Sequence, residues 1–168
     1  MDRELASIAG RQHGLLRVTD LRSAGLNGSA VSRRRARGVL HLVHPGVYSL
    51  GHAALSREAR WLAAVFAAGE GAALSHLSAA ALLPLRRYAP RMPEVIVPRR
   101  HRPIPGVRLH TCRRLDPRDV TEHLGIPVTT VARTLVDLSD RLTADELANL
   151  IHEAAYRDLF RSRRPSRR

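Results

Sequence analysis

Between residues 29 and 37 the sequence reads SAVSRRRAR, four arginines and two serines within nine residues. Guanidinium groups are planar and permanently charged, and their fork matches phosphate oxygens or the edge of a guanine, so this run is suited to holding a polyanion. If it forms a helix with Val31 facing inward, then at 100° per residue Ser29, Arg33, Ala36 and Arg37 point away from the core and Ser32 lies on the flank. Ser29, Ser32 and Arg33, near the helix start, are the candidates for meeting base edges, and Arg37 is the candidate for holding phosphate. Arg34 is counted with them as a DNA contact, and His44, in a following turn, is a further candidate for phosphate. Arg35 falls beside Val31 on the helix surface, so its charged end must reach out to solvent or find a carboxylate.

Other chemistries have weaker support. The chain has no lysine, which disfavours P-loop phosphate binding, Schiff-base catalysis and nucleases whose acidic cluster is completed by an ammonium. His76, His110 and His123, with Cys112 two residues from His110, invite a metal hypothesis. The sequence has no HExxH, no paired CxxC and no carboxylate at a completing spacing, so these histidines read as scattered structural or exposed residues, with neither metal nor cofactor expected. Asp137 and Asp140 could form a catalytic pair but read as a solvated helix surface. No enzymatic activity is expected.

The charge pattern supports binding. In 168 residues, 28 basic against 15 acidic side chains give a net +13, and the excess is segmental. Residues 86–118 hold 10 arginines against Glu94 and Asp116, whereas residues 119–155 hold 2 against 7 acids. A sequence-independent attraction to nucleic acid follows. Aromatic residues are only 4%, too few to stack single-stranded bases, which favours a reader of duplex grooves. The longest nearly unbroken apolar run, residues 61–69, falls far short of the roughly 20 needed to span a bilayer, and the first ten residues lack the basic and apolar regions of a secretory signal. A single cysteine fits a reducing compartment, so a cytoplasmic protein without membrane contact is expected.

The elements that would position these residues follow from period and punctuation. Residues 2–13 read as a first helix, residues 20–24 as a second capped by Thr19, and residues 30–37 as a third capped by Ser29 and stopped by Gly38. Gly25-Leu26-Asn27-Gly28 between the last two makes a helix-turn-helix. Branched residues at 39–43 and 47–50 around Pro45-Gly46 predict a hairpin where a winged helix-turn-helix carries its wing. Beyond it, the spacing predicts helices over 56–68, 76–83 and 131–142, strands at 72–74, 94–97 and 107–112, an extended piece over 120–129, and a last helix opened by the capping box Thr143 to Glu146. The fold class is therefore α+β. A winged helix-turn-helix of three helices plus a β-hairpin occupies 1–51, a second α+β domain with a small sheet and flanking helices occupies 52–160, and 161–168 reads as a disordered basic tail.

The ordered series RQHGLLRVTDL, SAVSRRRARG, LHLVHPGVYSLGH, LSREARWLAAV, LSHLSAAALL and GIPVTTVARTLVDL resembles the AbiEi-family antitoxins of type IV toxin-antitoxin systems, over the chain up to about residue 155. The resemblance implies an N-terminal winged helix-turn-helix, a second antitoxin domain, and binding to double-stranded operator DNA that represses the protein's own operon. It also implies a cognate nucleotidyltransferase-like toxin, opposed without a stable complex. Arg35 stands where such proteins commonly carry a branched apolar residue. Many relatives continue into a very-short-patch-repair-like endonuclease domain that is missing here, so nuclease activity is not carried over. The competing readings are a truncated, non-catalytic relative of those fused proteins and a structured-RNA binder using residues 86–118. Operator sequence and oligomeric state stay open.

Overall fold

The computed structural model describes residues 2–99 and 101–160. The expected basic tail at 161–168 lies outside the described residues. The first unit runs α1 (Asp2–Arg11), β1 (Leu15–Arg17), α2 (Val18–Ser23), α3 (Gly28–Ala36), β2 (Leu40–His44) and β3 (Val47–Leu50). Its three strands form an antiparallel sheet in the order β1-β3-β2. Helices, turn and hairpin thus agree with the sequence reading. Strand β1 is new, because three residues carry no periodic signal and Leu15–Arg17 become a strand only by pairing with Val47–Ser49.

The second unit contains α4 (Arg57–Ala68), β4 (Ala73–Leu74), α5 (His76–Leu82), β5 (Glu94–Val97), β6 (Arg108–Thr111), a short 3₁₀ turn (Pro117–Asp119), β7 (Val120–His123), β8 (Ile126–Thr129), α6 (Val131–Leu138) and α7 (Ala144–Tyr156). Its mixed sheet has the order β6-β5-β4-β8-β7. The extended piece over 120–129 is in fact a tight antiparallel hairpin, β7 to β8. Both residues of its turn, Leu124 (φ 52°) and Gly125 (φ 73°), take the left-handed backbone that two-residue hairpin loops demand, a conformation that leucine hides from a sequence reading. Thr143 and Glu146 form the anticipated capping box, with Glu146 N–H donating to Thr143 Oγ1 (3.3 Å) and Thr143 N–H to the Glu146 carboxylate (2.9 Å).

The two units share the first sheet. Successive strand residues face opposite ways, and Leu15 and Leu16, both fully buried, enter different cores. Leu16 joins Leu5, Leu21, Leu26, Val31 and Leu40 beneath the helix-turn-helix, while Leu15 and Val47 join the larger core around Trp61, Leu62, Leu74, Val95 and Ile126. Polar contacts add to this seam. His13 Nε2 bonds the Leu124 carbonyl (2.7 Å), and the Arg17 guanidinium lies 4.8 Å from the Phe66 ring centroid. No helix among the described residues is long and apolar enough to cross a membrane.

Candidate nucleic-acid interface

Helix α3 is capped two residues earlier than its serine suggests. The cap is Asn27, whose Oδ1 accepts the Ala30 N–H (2.9 Å), and Ser29 is instead exposed within the first turn. Asn27 wins because the N-cap side chain must reach the N–H three residues on, which Asn27 does from an extended backbone before Gly28. The helix ends in a Schellman arrangement, with Val39 N–H donating to Arg34 O (2.9 Å) and Gly38 N–H to Arg35 O (3.0 Å), Gly38 supplying the left-handed residue (φ 71°). Helix α2 is likewise capped from one position not foreseen. Thr19 lies inside the first turn, and Arg17 is the cap residue, its N–H donating to Asp20 Oδ2 (2.8 Å) and its guanidinium pairing with Asp20 (2.9 Å). Partial burial pushes the Asp20 carboxyl up, but the hydrogen bonds from Arg17 outweigh it and hold the group below its ordinary range.

The face of α3 follows the helical geometry. Val31 is buried, and Ser29, Ser32, Arg33 and Arg37 are exposed. Arg34 turns back to α1, where it pairs with Asp2 (3.2 Å) and is only 21% exposed. Arg35 meets the packing demand by running out to solvent. Among the described residues no carboxylate lies within ion-pair distance of Arg22, Arg33, Arg35 or Arg37, so the charge on this side of the molecule is uncompensated. Two shallow grooves flank the helix. One runs between Arg22 of α2, Ser32, Arg35 and Tyr48 of β3, and the other between Arg35, Ala36, His41 and Leu42. Arg22 and Tyr48 escape a sequence reading because only the β2–β3 pairing and the turn between α2 and α3 bring them beside the helix.

The hairpin is short, and its turn is tied down by a hydrogen bond from Val18 N–H to Gly46 O (2.7 Å). His44 is half-buried in it, and burial lowers its pKa below the ordinary 6.5, leaving a neutral ring at pH 7. The structure thus brings Ser29, Ser32, Arg33 and Arg37 onto one exposed face, sets Arg34 against α1, and withholds charge from His44.

A second polar cluster lies in the larger unit and corrects two expectations. His76 and His110 are not scattered. Their rings stack 3.6 Å apart, and Glu94, fully buried, faces them. The reason is topological: β5 and β6 run parallel with Ile96 opposite His110, and α5 begins at His76 directly after β4, the other neighbour of β5. His123 sits apart on β7, the opposite edge of the sheet, and Cys112 bonds the Val97 carbonyl. Burial, then the neighbouring His76, lowers the pKa of His110 to about 4, and burial lowers that of His76. Asp137 is no solvated surface residue either. Its side chain is 9% exposed and is held by Arg133 (2.8 Å), which also reaches Asp119 (3.0 Å). Burial pushes the Asp137 carboxyl up despite that partner. Asp140, by contrast, is exposed.

Comparison with known families bears on the first of these sites. Residues 3–51 match the sequence model of a family described as a transcriptional regulator, AbiEi antitoxin, which bears out the resemblance over the N-terminal segment. The match covers α1 to β3 and ends before α4. No curated protein matches the chain.

Proposed function

We propose that this chain, whose first 51 residues carry the regulator segment, is a DNA-binding repressor that acts as the antitoxin of a type IV toxin-antitoxin system and autoregulates its operon. The observation that carries the reading is the exposed face of α3: Ser29, Ser32, Arg33 and Arg37 stand on a helix braced by α2 and flanked by a hairpin, with no carboxylate among the described residues to neutralise the two arginines. A duplex groove supplies the missing anions. The role is one of binding rather than catalysis in the cytoplasm, and the toxin, a nucleotidyltransferase-like enzyme, is countered without a stable complex.

The test is a fluorescence-anisotropy titration of the protein against its own upstream duplex and a scrambled duplex at several salt concentrations. The expected result is a preference for the upstream duplex of about a thousandfold or more, with affinity for both falling as salt rises. Equal affinity for the two sequences at every salt concentration overturns the repressor reading. A competition in which structured RNA displaces the duplex favours instead the basic 86–118 segment as an RNA site.

A further inference from the structure

The geometry points to a divalent metal site of the zinc class in the larger unit, formed by His76, His110 and Glu94. The three residues come from α5, β5 and β6, and each offers a ligand atom such that all lie within 4.8 Å of one another. Imidazole nitrogen and carboxylate oxygen bind tetrahedral zinc at about 2.0–2.2 Å, so two donors on one ion stand about 3.4 Å apart. The His110 Nε2 to Glu94 Oε2 distance is 4.0 Å, too long for a hydrogen bond and about 0.6 Å beyond that separation. Closing the widest separation takes a side-chain movement of up to about 1.4 Å, and the stacked rings of His76 and His110, 16° from parallel, turn out of their stack so that both in-plane lone pairs point at the ion.

Two further observations favour an ion. His110 Nε2 is buried and has no hydrogen-bond partner, and in native proteins such an orphan calls for a water or an ion. The only other buried side-chain atom without a partner among the described residues is Oδ2 of Asp137. His76, for its part, has Nδ1 engaged with Ser75 Oγ (3.0 Å), which leaves Nε2 to serve as ligand and provides the outer hydrogen bond that fixes a metal-binding imidazole.

Charge around Glu94 sets the selectivity. Its oxygens accept from the Arg141 fork (3.2 Å) and from Leu77 N–H (3.0 Å), and Arg108 lies 3.9 Å away. The carboxylate is therefore largely neutralised, and the two imidazoles must provide most of the affinity. Nitrogen-dominated sites take zinc, copper or nickel, whereas magnesium and calcium require a set of oxygens. The site is thus one for a transition-metal ion, held by three protein ligands with a fourth position left to water, and clamping α5 to the β5–β6 edge.

The full chain, stripped with chelator and dialysed, is titrated with zinc chloride by calorimetry, with magnesium chloride as the contrasting ion. One equivalent of zinc binds saturably and magnesium does not. In the wild type, ¹⁵N–¹H spectra of the nine histidine rings show zinc moving the resonances of His76 and His110 alone. His110→Asn, at a partly buried edge-strand position, weakens zinc at least a hundredfold, while Ser75→Ala weakens it tenfold to a hundredfold and His123→Asn leaves it unchanged. Absence of a one-equivalent site, a shift of other rings in place of these two, or unaltered binding in His110→Asn overturns the proposal. Should His110→Asn fail to fold, the ring spectra of the wild type decide. Because none of these readouts involves DNA, failure of the metal site and failure of the repressor reading are separable.

Discussion

At the scale of the residue, the repressor reading gives two of the outward arginines, Arg33 in α3 and Arg37 at its cap, different work. Arg33 sits one turn from the helix start, where base edges are met, so Arg33→Ala should cost about 1–3 kcal/mol on the specific duplex and relax the preference for one sequence. Arg37 stands at the C-terminal cap. Its replacement by alanine should weaken all duplexes alike and reduce the slope of log K against log salt by about 0.9. Anisotropy on matched and scrambled duplexes separates the two. Arg34, tied to Asp2, should matter less to either quantity, since an exposed ion pair of this kind contributes about 0–1 kcal/mol. His44 carries a prediction of pH. Its pKa in the folded chain lies below the 6.5 of an exposed ring, so the unfolded chain binds the proton more readily as pH falls. The stability it contributes is present above 6.5 and lost as pH drops through the folded value. Urea unfolding at pH 7 and pH 5 should show His44→Gln losing less stability across that interval than the wild type, with the salt slope of DNA binding at pH 7 unaltered.

At the scale of the element, capping shows what a sequence discloses and what it withholds. Ser29 and Thr19 have the right chemistry for N-caps, and each is set aside because a neighbour, Asn27 or Arg17 with Asp20, reaches the free N–H groups from a better backbone position. Asn27→Ala should therefore destabilise the protein by about 0.5–2 kcal/mol, whereas Ser29→Ala should change stability by less than about 0.5 kcal/mol. Chemical denaturation measures both. The turn between α2 and α3, the Pro45-Gly46 hairpin and the Thr143 capping box were legible because their signals are local and chemical. Strand β1, the hairpin turn at Leu124 and the meeting of His76, Glu94 and His110 were not, because each exists only through pairing between distant segments. The exposed face of α3 was legible for a related reason: helical period alone decides which way Arg33 and Arg37 point. The retreat of Arg34 toward Asp2 depends on where α1 packs, and no periodicity reports that.

At the scale of the whole molecule, the boundary expected near residue 51 does not divide the packing. Leu15 and Leu16 are adjacent on one strand and fill two cores, so neither core can loosen without disturbing β1. Leu15→Ala and Leu16→Ala should each cost about 2–5 kcal/mol. Both variants and the wild type should unfold in one cooperative transition by calorimetry, and two resolved endotherms would count against the shared sheet. The same construction bears on how a duplex is read. A reader mounted on a flexible linker can tilt to suit the groove that it meets; here the helix is bolted through a three-stranded plate to the bulk of the protein. On the repressor reading, adjustment then falls to the nucleic acid, and sequences that bend or narrow easily gain an advantage even at base pairs that no side chain touches.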